Sequence, residues 1–168
     1  EYDGFVVETL ESRLSLRSLK VPYLSDCRFQ AGALETANLT DLTTLDLYTC
    51  EFQDRSLSFL KRMTSLTSLR LTHTDVGFEG LKTISTLTRL VALDLSSTKY
   101  GAWCCTLLRP LTRLTALSLC YCRLGMRDFE YFSTNTSIRK LNIYGSPVGE
   151  DEIRMLQKNS HIRSLEIT

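Results

Sequence analysis

Six cysteines and two histidines are the residues of this chain best suited to forming or breaking bonds. A thiol nucleophile needs a histidine within hydrogen-bond reach to take its proton. His73 is the histidine suited to that role, with Cys50 as its thiol; His161 lies far along the chain. Four thiolates could also hold zinc tetrahedrally, and Cys104, Cys105, Cys120 and Cys122 are close in sequence. No CxxC spacing accompanies them, nor does any GxSxG, HExxH, Walker or dinucleotide-binding glycine motif occur. Asn38-Leu39-Thr40 and Asn135-Thr136-Ser137 have the form of glycosylation acceptors, although such triplets arise by chance in a chain rich in Ser and Thr.

Composition narrows the field. The 168 residues carry 20 Lys and Arg against 19 Asp and Glu, a net charge of +1. That balance gives no electrostatic footprint for nucleic acid or an anionic membrane. A hydrophobic content of 43% is that of a folded globular chain, large enough for a core without disulfide staples. No apolar run approaches the roughly 18 residues of a membrane-spanning helix, and no signal-peptide pattern opens the chain. Cysteine usage therefore points to free thiols in a reducing compartment, with an extracellular setting left open. Cys27 and Cys50 fall at equivalent places and read as stacked thiols, a strained disulfide being the alternative.

The elements that must position these residues come from a repeat. Units of 24 residues start at Leu42, Leu66, Leu90, Leu114 and Ile138, with a partial unit at Ile162 and a unit two residues longer at Leu16. Each opens on one phrase: LRSLKV, LTTLDL, LTSLRL, LVALDL, LTALSL, IRKLNI, IRSLEI. Places one, four and six are aliphatic in every unit. Places four and six alternate with polar neighbours, the period of a half-buried strand. Leu45 and Leu47 should point inward, and Thr44, Asp46 and Tyr48 outward. One such short strand is unstable alone, so the units must stack as a parallel sheet about 4.8 Å apart, with leucine columns packing on themselves.

The second half of each unit is helical in spacing, with apolar pairs at places 16 and 19: Leu57/Leu60, Leu81/Ile84, Cys105/Leu108, Phe129/Phe132 and Ile153/Leu156. Pro110 should end its helix. Place 12 is glycine at Gly77, Gly101, Gly125 and Gly149, expected as a positive-φ turn off the strand. Acidic residues follow it (Glu79, Asp128, Glu150, Asp151, Glu152), favourable near a helix N-terminus. Residues 1–15 read as a helix, either part of a truncated repeat or an N-terminal cap, and residues 16–168 as the repeats of one domain. The opening at Glu1 and the end at Thr168 inside a strand phrase give the expectation of a piece of a longer protein.

The stretch LTSLRLTHTDVGFEGLKTISTLTR, with its LxxLxL signature, resembles the leucine-rich repeat. The unit length and the T/C-x-V…G-L-x-x-L second half are similar to the cysteine-containing and GALA-like types, common in bacterial and protozoan proteins, including those of kinetoplastids. The resemblance spans residues 16–168. It implies an α/β right-handed solenoid, a horseshoe arc with a concave parallel sheet and convex helices, and a habit of binding another macromolecule, most often a protein. Place nine, often Asn in the superfamily, is here Cys50, Thr74, Thr98, Cys122 and Ser146. Small polar side chains there can still bond to neighbouring backbone.

This architecture separates the cysteines into different layers, which argues against zinc. It also puts Cys50 inward and His73 on the concave edge, a buried structural thiol beside a loop histidine. The concave place-five column reads Lys20, Asp46, Arg70, Asp94, Ser118, Asn142, Glu166. Alternating charges there should pair laterally, each pair contributing about 0–1 kcal/mol. Beside them stand Tyr48 and Tyr144 at place seven, Tyr121 at place eight and Tyr23 in the first unit, side chains of the interface-anchor kind. Trp103 and the basic residues Lys61, Arg62, Lys82, Arg89, Arg109 and Arg113 belong to the helical back.

The sequence thus predicts a non-catalytic module that binds another protein, with no nucleic acid, membrane or small-molecule substrate, no cofactor and no metal. The binding residues are Tyr48, Arg70, His73, Asp94, Tyr121 and Tyr144. Alternatives are the substrate-recognition arm of a ubiquitin ligase or other multi-domain enzyme, and a structural subunit of a large complex.

Overall fold

The computed structural model describes residues 6–7, 28–29, 39–52, 54–98 and 104–167. Strands β1 (Val6–Val7) and β2 (Arg28–Phe29) pair in parallel. Val6–Val7 are strand within the stretch 1–15 where a helix was expected, and the rest of that stretch lies outside the described residues. β-branched side chains are stiff at χ1 and suit a strand. The phrase opening at Leu16 lies outside the described residues, and with it Lys20, Tyr23, Cys27, Asn38, Gly101 and Trp103.

Six further strands form one parallel sheet in chain order: β3 (Thr44–Asp46), β4 (Ser68–Arg70), β5 (Ala92–Asp94), β6 (Ala116–Ser118), β7 (Lys140–Asn142) and β8 (Ser164–Glu166). Leu45, Leu69, Leu93, Leu117, Leu141 and Leu165 are register partners, strand to strand. The ladder locks at the same place in each unit. The carbonyl of Thr43 accepts the N–H groups of Thr67 and Ser68, and those of Thr67, Val91, Thr115 and Arg139 repeat the pattern.

The convex layer holds a 3₁₀ helix at Asp54–Arg62, α1 (Phe78–Ile84), a second 3₁₀ helix at Cys104–Leu108, α2 (Met126–Thr134) and α3 (Glu150–Gln157). Two of the five expected helices are therefore 3₁₀. An i, i+3 apolar pair eclipses on one face of a 3₁₀ helix as well as it stacks on an α-helix, so Leu57/Leu60 and Cys105/Leu108 are buried all the same. Pro110 follows the second as predicted. Helices pack 8–10 Å apart where strands need about 4.8 Å, so the stack curves with the sheet inside. Among the described residues no helix is long and apolar enough to cross a membrane.

The core lies between the layers. Places one, four and six are buried from Leu42 to Ile143, and the helix pairs are buried against them. The column opens only at its end, where Leu165 is 39% exposed and Ile153 also reaches solvent. The small residues at place nine stay inside and satisfy backbone, as predicted: Thr74 Oγ1 donates to the Leu71 carbonyl at 2.5 Å, Thr98 to Leu95 at 2.6 Å and Ser146 to Leu119 at 2.9 Å.

The left-handed turn corrects a second expectation. Gly77, Gly125 and Gly149 are extended helix N-caps with φ of −117°, −120° and −94°. Positive φ falls instead at place eight: Thr49, His73, Ser97, Tyr121 and Gly145 lie between 54° and 68°. What Gly77 supplies is room, since a Cβ there would meet Asp54 Oδ2 at 2.9 Å.

Candidate functional site

The concave face is built from places three, five, seven and eight. Place three (Ser68, Ala92, Ala116, Lys140, Ser164), small except for Lys140, floors an open groove of about 310 Å³ across β4–β8. Place five edges it with the register partners Asp46, Arg70, Asp94, Ser118, Asn142 and Glu166. Lateral pairing occurs where opposite charges meet. Arg70 Nη1 lies 3.3 Å from Asp46 Oδ2, and its Nε 3.8 Å from Asp94 Oδ2.

Three of the other five expected binding residues, Tyr48, His73 and Asp94, cluster around that arginine. Its guanidinium sits 4.6 Å from the centre of the Tyr48 ring, a cation–π contact. Tyr48 meets the His73 ring edge-on, centroids 5.8 Å apart. Each carboxylate is anchored from below: Asp46 Oδ1 accepts the Tyr48 N–H at 3.0 Å and Asp94 Oδ1 the Ser96 N–H at 2.9 Å. His73 is thus committed to an aromatic contact on the surface while Cys50 is buried in the core, the arrangement expected of a structural thiol and a loop histidine.

Tyr121 and Tyr144 form a second cluster, edge-on at 5.6 Å and 62% and 47% exposed. Tyr121 is held by its left-handed backbone, by its N–H bond to the Tyr144 carbonyl at 2.8 Å, and by a ring packed over Gly145 so closely that a Cβ there would meet it at 2.4 Å. Loss of water against its neighbours, and then the Tyr144 phenol, hold its hydroxyl above the ordinary value of 10.0, so it stays protonated. Asn142 ties this cluster down: its Oδ1 accepts the Tyr144 N–H at 3.0 Å and the Cys120 thiol at 2.9 Å, and its Nδ2 donates to Glu166.

Between the clusters runs a neutral chain. Ser96 Oγ and Ser118 Oγ are 2.8 Å apart, and Ser96 Oγ accepts the Cys120 N–H at 3.1 Å. Sequence reasoning passed over Ser96 and weighed Cys120 only as a zinc ligand. The place-seven column read whole (Tyr48, Thr72, Ser96, Cys120, Tyr144) is the signal that finds them. Cys104 and Cys105 lie on the convex side and Cys122 in the core, so the four thiols considered for zinc are in separate layers. Among the described residues no group of three or more His, Cys, Asp or Glu is placed to hold a metal. Asn135, the α2 C-cap, donates to Tyr131 Oη at 3.1 Å and accepts the Ile138 N–H at 2.7 Å.

Comparison with known proteins bears on the fold. The sequence model of a family described as Leucine Rich repeat matches residues 62–85. A search of curated proteins finds no match. Among solved structures, internalin C2 of Listeria monocytogenes superposes with a TM-score of 0.65 at 21% identity, over 90% of this chain and 62% of that one. Internalin F of the same organism gives 0.57 at 16% identity, over 84% and 48%. A plant peptide hormone receptor, RGFR1 in complex with RGF2, gives 0.54 at 18% identity, over 89% and 29%. The chain therefore spans less than two thirds of each of these neighbours.

Proposed function

We propose that this chain, whose fold is similar to that of leucine-rich-repeat solenoids, is a non-catalytic module binding a partner protein on its concave face. The observation that carries this reading is the display of Tyr48, Arg70, His73, Asp94, Tyr121 and Tyr144 at places five, seven and eight of successive repeats, each held by backbone or side-chain bonds before any partner arrives. Such preorganisation limits the entropy lost on association. Exposed tyrosines and a half-exposed arginine are the side chains from which interface hot spots are most often made. The receptor of similar fold in complex with RGF2 supports a peptide or protein as the ligand class. The cysteine usage, without CxxC spacing, suits thiols in a reducing compartment.

Replacing Arg70, Asp94 and Tyr121 together by Ala tests the site. Partner capture should fall by about tenfold or more while the far-ultraviolet circular dichroism and melting midpoint stay near wild type. Undiminished capture would move the interface off the concave face.

A further inference from the structure

The net charge of +1 hides a segregation. The chain passes from each helix into the next strand through 61–68, 85–92, 109–116, 133–140 and 157–164, which together form one rim of the stack. These five stretches carry nine Lys and Arg and no Asp or Glu, so every acidic residue after Asp41 lies elsewhere. Asp41 itself stands where the rim begins, one residue before Leu42. Arg89, Arg109 and Arg113, expected on the helical back, fall in the turns after the helices and are exposed. Among the described residues no carboxylate pairs with Lys61, Arg89, Arg109, Arg113, Arg139 or Arg163.

One cleft on this rim has the donors an anion needs. It measures about 260 Å³, and Arg109, Thr112, Tyr131, Asn135 and Thr136 are among its lining residues, none of which is acidic. Tyr131 is only 4% exposed, and its Oη accepts an N–H from Asn135 Nδ2 at 3.1 Å. The phenol proton is left without an acceptor among the described residues. The charge of Arg109 reaches that phenol.

We propose that this rim is a second docking surface, separate from the concave face, which takes an acidic segment of a protein and seats one carboxylate on Arg109 and Tyr131 Oη. Spacing suits an extended chain. Neighbouring repeats lie about 4.8 Å apart at the strands and 8–10 Å apart at the helices, and carboxylates on every second residue of an extended segment recur at about 6.8 Å. Guanidinium forks bond carboxylates in pairs, and such charge-assisted bonds are the stronger kind. Nucleic acid fits less well, because the five stretches hold no Phe, Tyr or Trp on which bases could stack. A membrane would gain no insertion, because no large apolar side chain of these stretches is exposed.

The test uses the whole chain and a labelled dodecapeptide alternating Glu and Ser, against its Gln counterpart. At low salt the Glu peptide should bind about tenfold tighter or more, a lead that shrinks as salt is raised. Arg109→Glu combined with Arg113→Glu should weaken Glu-peptide binding by about tenfold or more, with the melting midpoint near wild type. Tyr131→Phe should weaken it by about threefold or more. Arg123→Glu, exposed beyond the other end of the strands, should leave it within about twofold of wild type. Equal binding of the two peptides, unchanged affinity in either rim variant, or tighter binding of duplex DNA or of phosphatidylserine vesicles overturns the proposal. The triple alanine variant of the concave face should keep its Glu-peptide binding, so the two readings fail separately.

Discussion

His73, Ser97 and Tyr121 hold φ near +55°, a conformation that a Cβ makes unfavourable by roughly 1–2 kcal/mol. The offset comes from the next repeat, whose place-seven carbonyl accepts each of their N–H groups at 2.8–3.0 Å. Gly145 occupies the same place without that strain, and its missing Cβ is where the Tyr121 ring lies. Gly145→Ala is therefore expected to lower stability by about 1–2 kcal/mol in urea unfolding and to displace Tyr121, read as a change in tyrosine fluorescence. Tyr131, buried beneath the convex side, shows a second residue-level effect. Burial, with Cys105 adding, lifts its phenol well above the ordinary 10.0. The folded chain then keeps a proton that the unfolded chain releases, so this contribution is complete below pH 10 and is lost as pH rises further. Unfolding free energy should fall above about pH 10 with a slope of up to roughly 1.4 kcal/mol per unit, and Tyr131→Phe should flatten it.

At the scale of elements, the helices are joined by carboxylates that reach between repeats. Asp54, at the start of the preceding 3₁₀ helix, accepts the N–H groups of Gly77, Glu79 and Gly80, covering the N-terminus of α1. The fully buried Asp128 accepts the Gly125 N–H on its own helix and the Cys105 N–H of the unit before. Acidic residues near helix starts were legible in the sequence, and Asp128 and Glu152 fill that role. Asp54 was not, because its partners lie 23 to 26 residues away in the next unit. Asp54→Ala should cost about 1–3 kcal/mol, read as a lower urea midpoint, with Asp54→Asn recovering part of it. Arg154, exposed and paired with Glu150 and Asp151, lies in the class of surface pairs that contribute little.

For the whole molecule, stability is a sum of repeats and the interfaces between them. Leu93, in the middle of the seam, is buried between Leu69 and Leu117, whereas Leu165 on β8 has a neighbour on one side within the sheet. Leu93→Ala should cost about 2–5 kcal/mol and Leu165→Ala well under half of that, measured by chemical unfolding of the two variants. The concave face depends on the same seam. A cavity at Leu93 lies directly beneath Asp94 and should loosen the ladder from Arg70 to Ser118, while the end of the stack tolerates change.

Aliphatic residues at places one, four and six determined the stack, because a strand that buries every second residue leaves no other register in which those columns stay dry. The same spacing puts place five on the concave face, where Asp46, Arg70 and Asp94 pair. Tertiary structure alone decided where the chain turns left-handed, since Thr, His, Ser, Tyr and Gly share no local preference and are held there by the following repeat. It also decided that Tyr48 is occupied by Arg70 while Tyr121 and Tyr144 stand open. Both rings of each pair come from different units, and contacts between units are set by the packing distance of neighbours, which no single repeat encodes.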